Sequence, residues 1–166
     1  EKRFKAINNY SIFCLTPKHT KKNKSSLIHM CNYLIKKSGC INSGFYHKNY
    51  SELIKRIEIS KKNKKPFIII GLSFLLLDFA LKHKINLNGG TILETGGMKK
   101  NDSEFTKEEL YDILRKKFSL KEIGSEYSMT ELLSQSYSLK KGELSPPPWK
   151  KILIRDINNP LQIIKQ

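Results

Sequence analysis

A chain of 166 residues, 39% hydrophobic and 10% aromatic, has enough apolar side chains for one packed domain and too few residues for two large ones. That composition excludes a disordered tail and fits a soluble globular protein. The formal net charge of +16 leaves two readings open, a solvated lysine surface or a patch for a polyanion.

The form of the charge favours the first. Lysine supplies nearly all of it, the arginines being Arg3, Arg56, Arg115 and Arg155 alone, whereas base readers lean on the bidentate arginine fork. A nucleic-acid partner is therefore not expected. Glu1 to Lys5 lead into polar sequence without a secretory signal. Cys14, Cys31 and Cys40 are odd in number, form no C-x-x-C pair, and read as small buried hydrophobes of a reducing, cytoplasmic setting. The histidines, His19, His29, His47 and His83, show no metal-ligand spacing.

In chain order, Tyr10 to Leu15 is an apolar run ending at Thr16-Pro17, the pattern of a strand entering a loop, and Lys18 to Lys24 is a basic loop. Ser25-Ser26 supplies a helix N-cap, and Leu27, Met30, Cys31, Leu34 and Ile35 recur at helical spacing before Gly39. A second helix is expected from about Asn49 to Ser60, with Leu53, Ile54 and Ile57 on one face; the charged turn at Lys61 to Lys65 that follows reads best as a solvated helix end and loop. Phe67-Ile68-Ile69-Ile70 predicts a strand covered on both faces. The apolar run that it opens, Phe67 to Leu77, is broken by Gly71 and Ser73 and closed by Asp78, short of the roughly 18–20 residues that span a membrane.

Ser73 is expected to cap a helix to about His83. Asn88-Gly89-Gly90 is a turn into a strand at Thr91 to Glu94. Thr106 and Glu109 form a capping box for a helix that turns Leu110, Ile113, Leu114 and Phe118 inward. Lys121 to Ser125 reads as a short strand, and Pro146-Pro147-Pro148 as a rigid joint. Beyond it, Lys151 to Asp156 and Leu161 to Ile164 read as paired strands around Asn158-Asn159-Pro160, which makes residues 146–166 β-rich. Alternating strand and helix predict one α/β domain over residues 1–166, a three-layer sandwich with a largely parallel sheet flanked by helices. Ligands on such sheets bind beyond the carboxyl ends of the strands.

Two segments stand where such a site belongs. Ile92 to Lys99 reads as an apolar strand ending in the pair Gly96-Gly97. Ser125 to Leu132 places a ring, Tyr127, a hydroxyl, Thr130, and a carboxylate, Glu131, within five positions. Joining a carboxylate to AMP requires that adenosine be placed, a divalent cation held on the phosphates, and charge at the α-phosphate stabilised. A glycine pair lets backbone approach a base, and the Tyr127 ring can lie against adenine. The Thr130 hydroxyl can donate to a phosphate oxygen, and Glu131 offers magnesium a hard oxygen. Each feature also has an ordinary reading, the glycines as a turn and Thr130-Glu131 as a helix start. Their order, each after a strand, is what points to a nucleotide.

Around these turns lie Ser25-Ser26-Leu27-Ile28-His29-Met30, Leu76-Leu77-Asp78-Phe79-Ala80, Glu94-Thr95-Gly96-Gly97-Met98-Lys99, Ser125-Glu126-Tyr127, Met129-Thr130-Glu131-Leu132-Leu133-Ser134-Gln135, and Pro147-Pro148-Trp149 leading into Ile154-Arg155-Asp156. With them the chain resembles the acyl-protein synthetase family, the fatty-acid-activating component of bacterial luciferase systems, within the adenylate-forming superfamily. The resemblance implies ATP and Mg²⁺, an acyl-AMP intermediate, a fatty or other carboxylic acid as substrate, and transfer to a protein or other acceptor. It implies catalytic roles for Thr130 and Glu131, with the metal on Glu131. It implies nucleotide contacts at Glu94, Thr95, Gly96, Gly97, Met98, Ser125, Glu126, Tyr127 and Thr130, and an acyl pocket near Ser25, Ser26 and Met30.

Departures accompany the likeness. Ser128 stands where the family's Tyr-Gly-Met-Thr-Glu has glycine, so strain is expected there if that glycine needs positive φ. Lys100 stands where another glycine often follows. No Ser/Thr/Gly-rich phosphate loop precedes Tyr10, no ribose-binding aspartate follows Gln166, and the lid with its lysine is missing. The resemblance thus implies the middle of a longer protein, part of the large N-terminal domain of an adenylate-forming enzyme, with residues 1–166 inactive alone. Nothing matches the family's acceptor cysteine region, so Cys14, Cys31 and Cys40 are not cast in that role. The alternatives are a non-catalytic basic binding module that keeps the fold, and an acyl-transfer subunit working with a partner, in which Trp149 serves as an interface or as a buried anchor.

Overall fold

Phe67-Ile68-Ile69-Ile70 lies at the centre of the molecule, as a run apolar on both faces requires. The computed structural model describes residues 6–17, 25–96, 105–129, 132–139 and 143–164. Within them the strands are β1 (Ser11–Leu15), β2 (Gly44–Phe45), β3 (Phe67–Leu72), β4 (Gly90–Thr95), β5 (Gly124–Tyr127) and β6 (Ser136–Ser138). The helices are α1 (Ser26–Ser38), α2 (Tyr50–Lys62), α3 (Ser73–Lys82) and α4 (Lys107–Phe118). One six-stranded sheet runs β2-β1-β3-β4-β5-β6, parallel throughout except for the antiparallel β5–β6 pair.

Register sorts the side chains. Phe13 lies beside Ile69, and Ile69 beside Ile92, so these share one face. They pack with Leu53 and Ile57 of α2, Leu75 and Phe79 of α3, and Leu110, Leu114 and Phe118 of α4. Ile12, Ile68, Ile70 and Leu93 point the other way and pack with Cys31 of α1. The protein is an α/β three-layer sandwich, each large side chain so buried contributing about 1.5–3 kcal/mol. No helix among the described residues is long and apolar enough to cross a membrane.

Several elements differ from expectation, each for a reason of partnership. Ser73 is the first residue of α3 rather than its cap; Leu72 occupies the N-cap, and the Ser73 hydroxyl turns to β4 instead. The last strand of the parallel set begins at Gly124 rather than Lys121, because pairing starts where Leu93 provides a neighbour. By contrast, Lys61 and Lys62 close α2 and residues 63–64 turn toward β3, the helix end and loop expected of that charge run. The short strands β2 and β6 carry no pattern of their own and are held by β1 and β5. Residues 151–164 form no strand of the sheet. Arg155 and Ile163 make an isolated antiparallel bridge, closed by bonds from Asp156 N to Gln162 O and from Ile164 N to Ile154 O, around the expected Asn158-Asn159-Pro160 turn. Cys14 and Cys31 are buried, whereas Cys40 is partly exposed and contacts the Ser11 hydroxyl.

Candidate functional site

The two motif strands are neighbours. β4 and β5 run parallel with Glu94 beside Ser125 and Thr95 beside Glu126, so both motifs leave the sheet side by side at its carboxyl edge. Alternation along each strand then divides the residues between the faces.

Glu94 faces α3 and α4 and is fully engaged. Its carboxylate lies 2.5 Å from Ser73 Oγ, accepts from the Tyr111 hydroxyl at 3.0 Å, and has Lys107 Nζ at 3.6 Å. Burial and this neighbouring carboxylate push the Tyr111 hydroxyl well above the usual phenol range. Ser73 Oγ also lies 2.6 Å from the Gly96 carbonyl oxygen, so one hydroxyl ties the start of α3 to the turn after β4. Gly96 makes that turn at φ +84°, a conformation that a Cβ disfavours.

Thr95 and Glu126 face the opposite way, onto a cavity of about 790 Å³. The cavity exists because α2, α3 and α4 all pack on the other face, leaving α1 and the short 3-10 helix Ile7–Asn9 on this side among the described residues. Its floor is Ile68, Ile70 and Leu93; Met30 and Leu34 of α1 form one wall, and Pro146, Pro147, Pro148 and Trp149 another. In this apolar lining Thr95 is buried, and its Oγ1 has no hydrogen-bond partner among the described residues. Burial raises the Glu126 carboxyl above its ordinary value, against a lowering hydrogen bond from the Ser128 side chain and with a further rise from Glu94. Tyr137, also lining the cavity, donates from its hydroxyl toward Met30 Sδ at 3.7 Å, and burial pushes that hydroxyl up to about 12.

Tyr127, the next residue along β5 and so on the face opposite Glu126, is 43% exposed, enough for its ring to receive a flat ligand. Lys150 Nζ stands 5.4 Å from its centroid and donates to Ser136 Oγ at 2.9 Å and to the Ser134 carbonyl at 3.3 Å. A cation so placed favours the ring electrostatically and lies beside any anion brought to it. Trp149 is 68% exposed with its indole N–H donating to Ser134 Oγ, so it is a wall of the cavity and not a buried anchor.

Of the expected site residues, the structure brings Glu94, Thr95, Gly96, Ser125, Glu126 and Tyr127 to one sheet edge and puts Met30 in the cavity wall. Ser25 caps α1 without a side-chain bond and Ser26 is exposed; neither lines the cavity. Gly97, Met98, Lys100, Thr130 and Glu131 lie outside the described residues. The strain anticipated at Ser128 is not present: the described non-glycine residues with positive φ are His47, Lys64 and Ser119. His83 packs against the rings of Tyr50 and Phe79.

Lys150, Tyr137 and Tyr33 of α1, which also lines the cavity, went unread in the sequence. Only the proline run beside Trp149 signalled a wall here, and a lone lysine among many carries no signal. The described residues offer magnesium no cluster of hard oxygens, since Glu94 is already bonded and Glu126 sits on an apolar wall. Compared with protein-family models, with curated proteins and with solved structures, the chain matches none.

Proposed function

We propose that this chain belongs to the machinery that activates a carboxylic acid with an apolar chain as acyl-AMP, using ATP, for transfer to a protein or other acceptor. One observation carries this: Thr95 lies in register with Glu126, so the two motifs distant in sequence share a strand edge and open onto one apolar cavity. A volume of about 790 Å³ suits a chain-bearing acid, since small-molecule sites occupy roughly 300–1,000 Å³.

The described residues bind and orient. The cavity takes the apolar chain and excludes water from it. The Gly96 turn leaves room for a nucleotide, the Tyr127 ring offers a stacking face, and Lys150 offsets phosphate charge. The acid's oxygen then attacks the α-phosphorus, the acyl–phosphate bond forms, and the bond to pyrophosphate breaks, leaving with its electron pair. Holding both reactants in line can supply about 7–11 kcal/mol of the barrier.

The test is binding of an acyl sulfamoyl adenosine, a stable mimic of acyl-AMP, by calorimetry. Tyr127→Ala is expected to weaken binding about tenfold, the worth of one stacked base. In the protein that carries this chain, acid-dependent exchange of pyrophosphate into ATP is expected to vanish on Glu131→Ala. Failure to bind the mimic, with steeply salt-dependent binding to RNA or DNA instead, would establish the basic binding module.

A further inference from the structure

We propose that the cavity selects an acid whose apolar chain carries a hydroxyl group, held between the Thr95 hydroxyl and the Glu126 carboxyl, an inference that rests on the acid-activating reading of the same site. It assigns these two side chains to the acid rather than to the nucleotide.

The floor of the cavity is hydrocarbon from Ile68, Ile70 and Leu93, against which a plain alkyl chain would suffice. Thr95 interrupts it with a buried hydroxyl that no group among the described residues satisfies. Native proteins pair nearly all such atoms, so an orphan in a cavity wall calls for a ligand group. Glu126 is directly alongside, on the adjacent strand and the same face. Neighbouring strands lie about 4.8 Å apart, so one ligand atom can meet both side chains.

The chemistry of the pair narrows that atom. A threonine hydroxyl donates one hydrogen bond and accepts others, and a protonated carboxyl does the same. Burial favours the neutral form of Glu126. A ligand hydroxyl complements both, donating to one partner and accepting from the other. A second carboxylate would be repelled once Glu126 ionised, and an ammonium would require that ionised form, which burial disfavours.

Trp149 is the only tryptophan of the chain and lines the cavity, so its emission reports occupancy directly. Residues 1–166 are titrated with a saturated straight-chain acid, with its hydroxy isomers taken carbon by carbon, and with the matching amino acids. One hydroxy isomer is expected to bind about tenfold more tightly than the unsubstituted acid, the worth of a well-made hydrogen bond. Thr95→Val is expected to cut that preference to within about twofold while raising the melting temperature, because the orphan hydroxyl is gone. Glu126→Gln retains the preference and Glu126→Leu loses it, an independent check if the valine variant folds poorly.

Equal binding of all isomers overturns the inference and leaves the acid-activating reading standing. Tighter binding of an amino acid overturns it in favour of a cation site. No binding of any acid overturns both.

Discussion

An unpaired hydroxyl inside a protein costs about 1–3 kcal/mol, and Thr95 carries that cost on the cavity floor. Thr95→Val keeps the shape and removes the orphan, so unfolding free energy is expected to rise by about 1–2 kcal/mol in a denaturant titration. A loss of stability would mean that the hydroxyl is bonded after all. Glu126 makes a pH prediction. Its folded-state affinity for a proton exceeds that of an exposed glutamate, with Ser128 opposing the rise and Glu94 adding to it. The folded state therefore binds more protons than the unfolded chain between the ordinary value and the raised one, and stability falls as pH rises through that window. Glu126→Gln is expected to flatten this part of the stability profile; an unchanged slope would assign it to another group. Neither residue was legible as a cavity residue. Both sit in recognisable segments, but a strand exposes alternate residues to opposite faces, and which face bears the cavity is decided by helices elsewhere in the chain.

Local devices were readable where all their atoms are close in sequence. The Thr106 box forms as expected, with Thr106 Oγ1 accepting from Glu109 N at 3.3 Å and Glu109 Oε2 accepting from Thr106 N at 2.7 Å. Thr106→Ala is expected to cost about 1 kcal/mol of stability, measured by thermal melting; a null effect would mean that α4 is held by packing alone. Ser73 shows the opposite. A serine at the start of a helix reads as a cap, but Glu94 and Gly96 offer its hydroxyl stronger partners from a remote strand. Ser73→Ala leaves the buried Glu94 carboxylate one donor short and frees the turn at Gly96. We expect a loss of about 2 kcal/mol and faster amide exchange at Gly96 than in the parent protein. Strands β2 and β6 escaped notice because two or three residues carry no periodicity; they exist by pairing with longer neighbours.

Across the whole molecule, a charge of +16 repels itself in the folded state. Raising ionic strength from about 0.01 M to about 0.15 M shortens the screening length from about 30 Å to about 8 Å, and the melting temperature is expected to rise. A fall would mean that surface ion pairs, such as Arg56–Glu52 and Arg115–Asp112, outweigh the general repulsion. The alternation of apolar strands with amphipathic helices is written in near neighbours, so the sequence alone determined an α/β sandwich, its parallel sheet and the strand-end position of both motifs. Which of their side chains meet, which are consumed by the scaffold and which open onto free space depended on the tertiary structure. Glu94 and Thr95 are adjacent in the chain, yet one is locked beneath α3 and α4 and the other lines the cavity. The separation follows from packing: the helices after β3 gather on one face, and only the assembled sheet shows which face they leave bare.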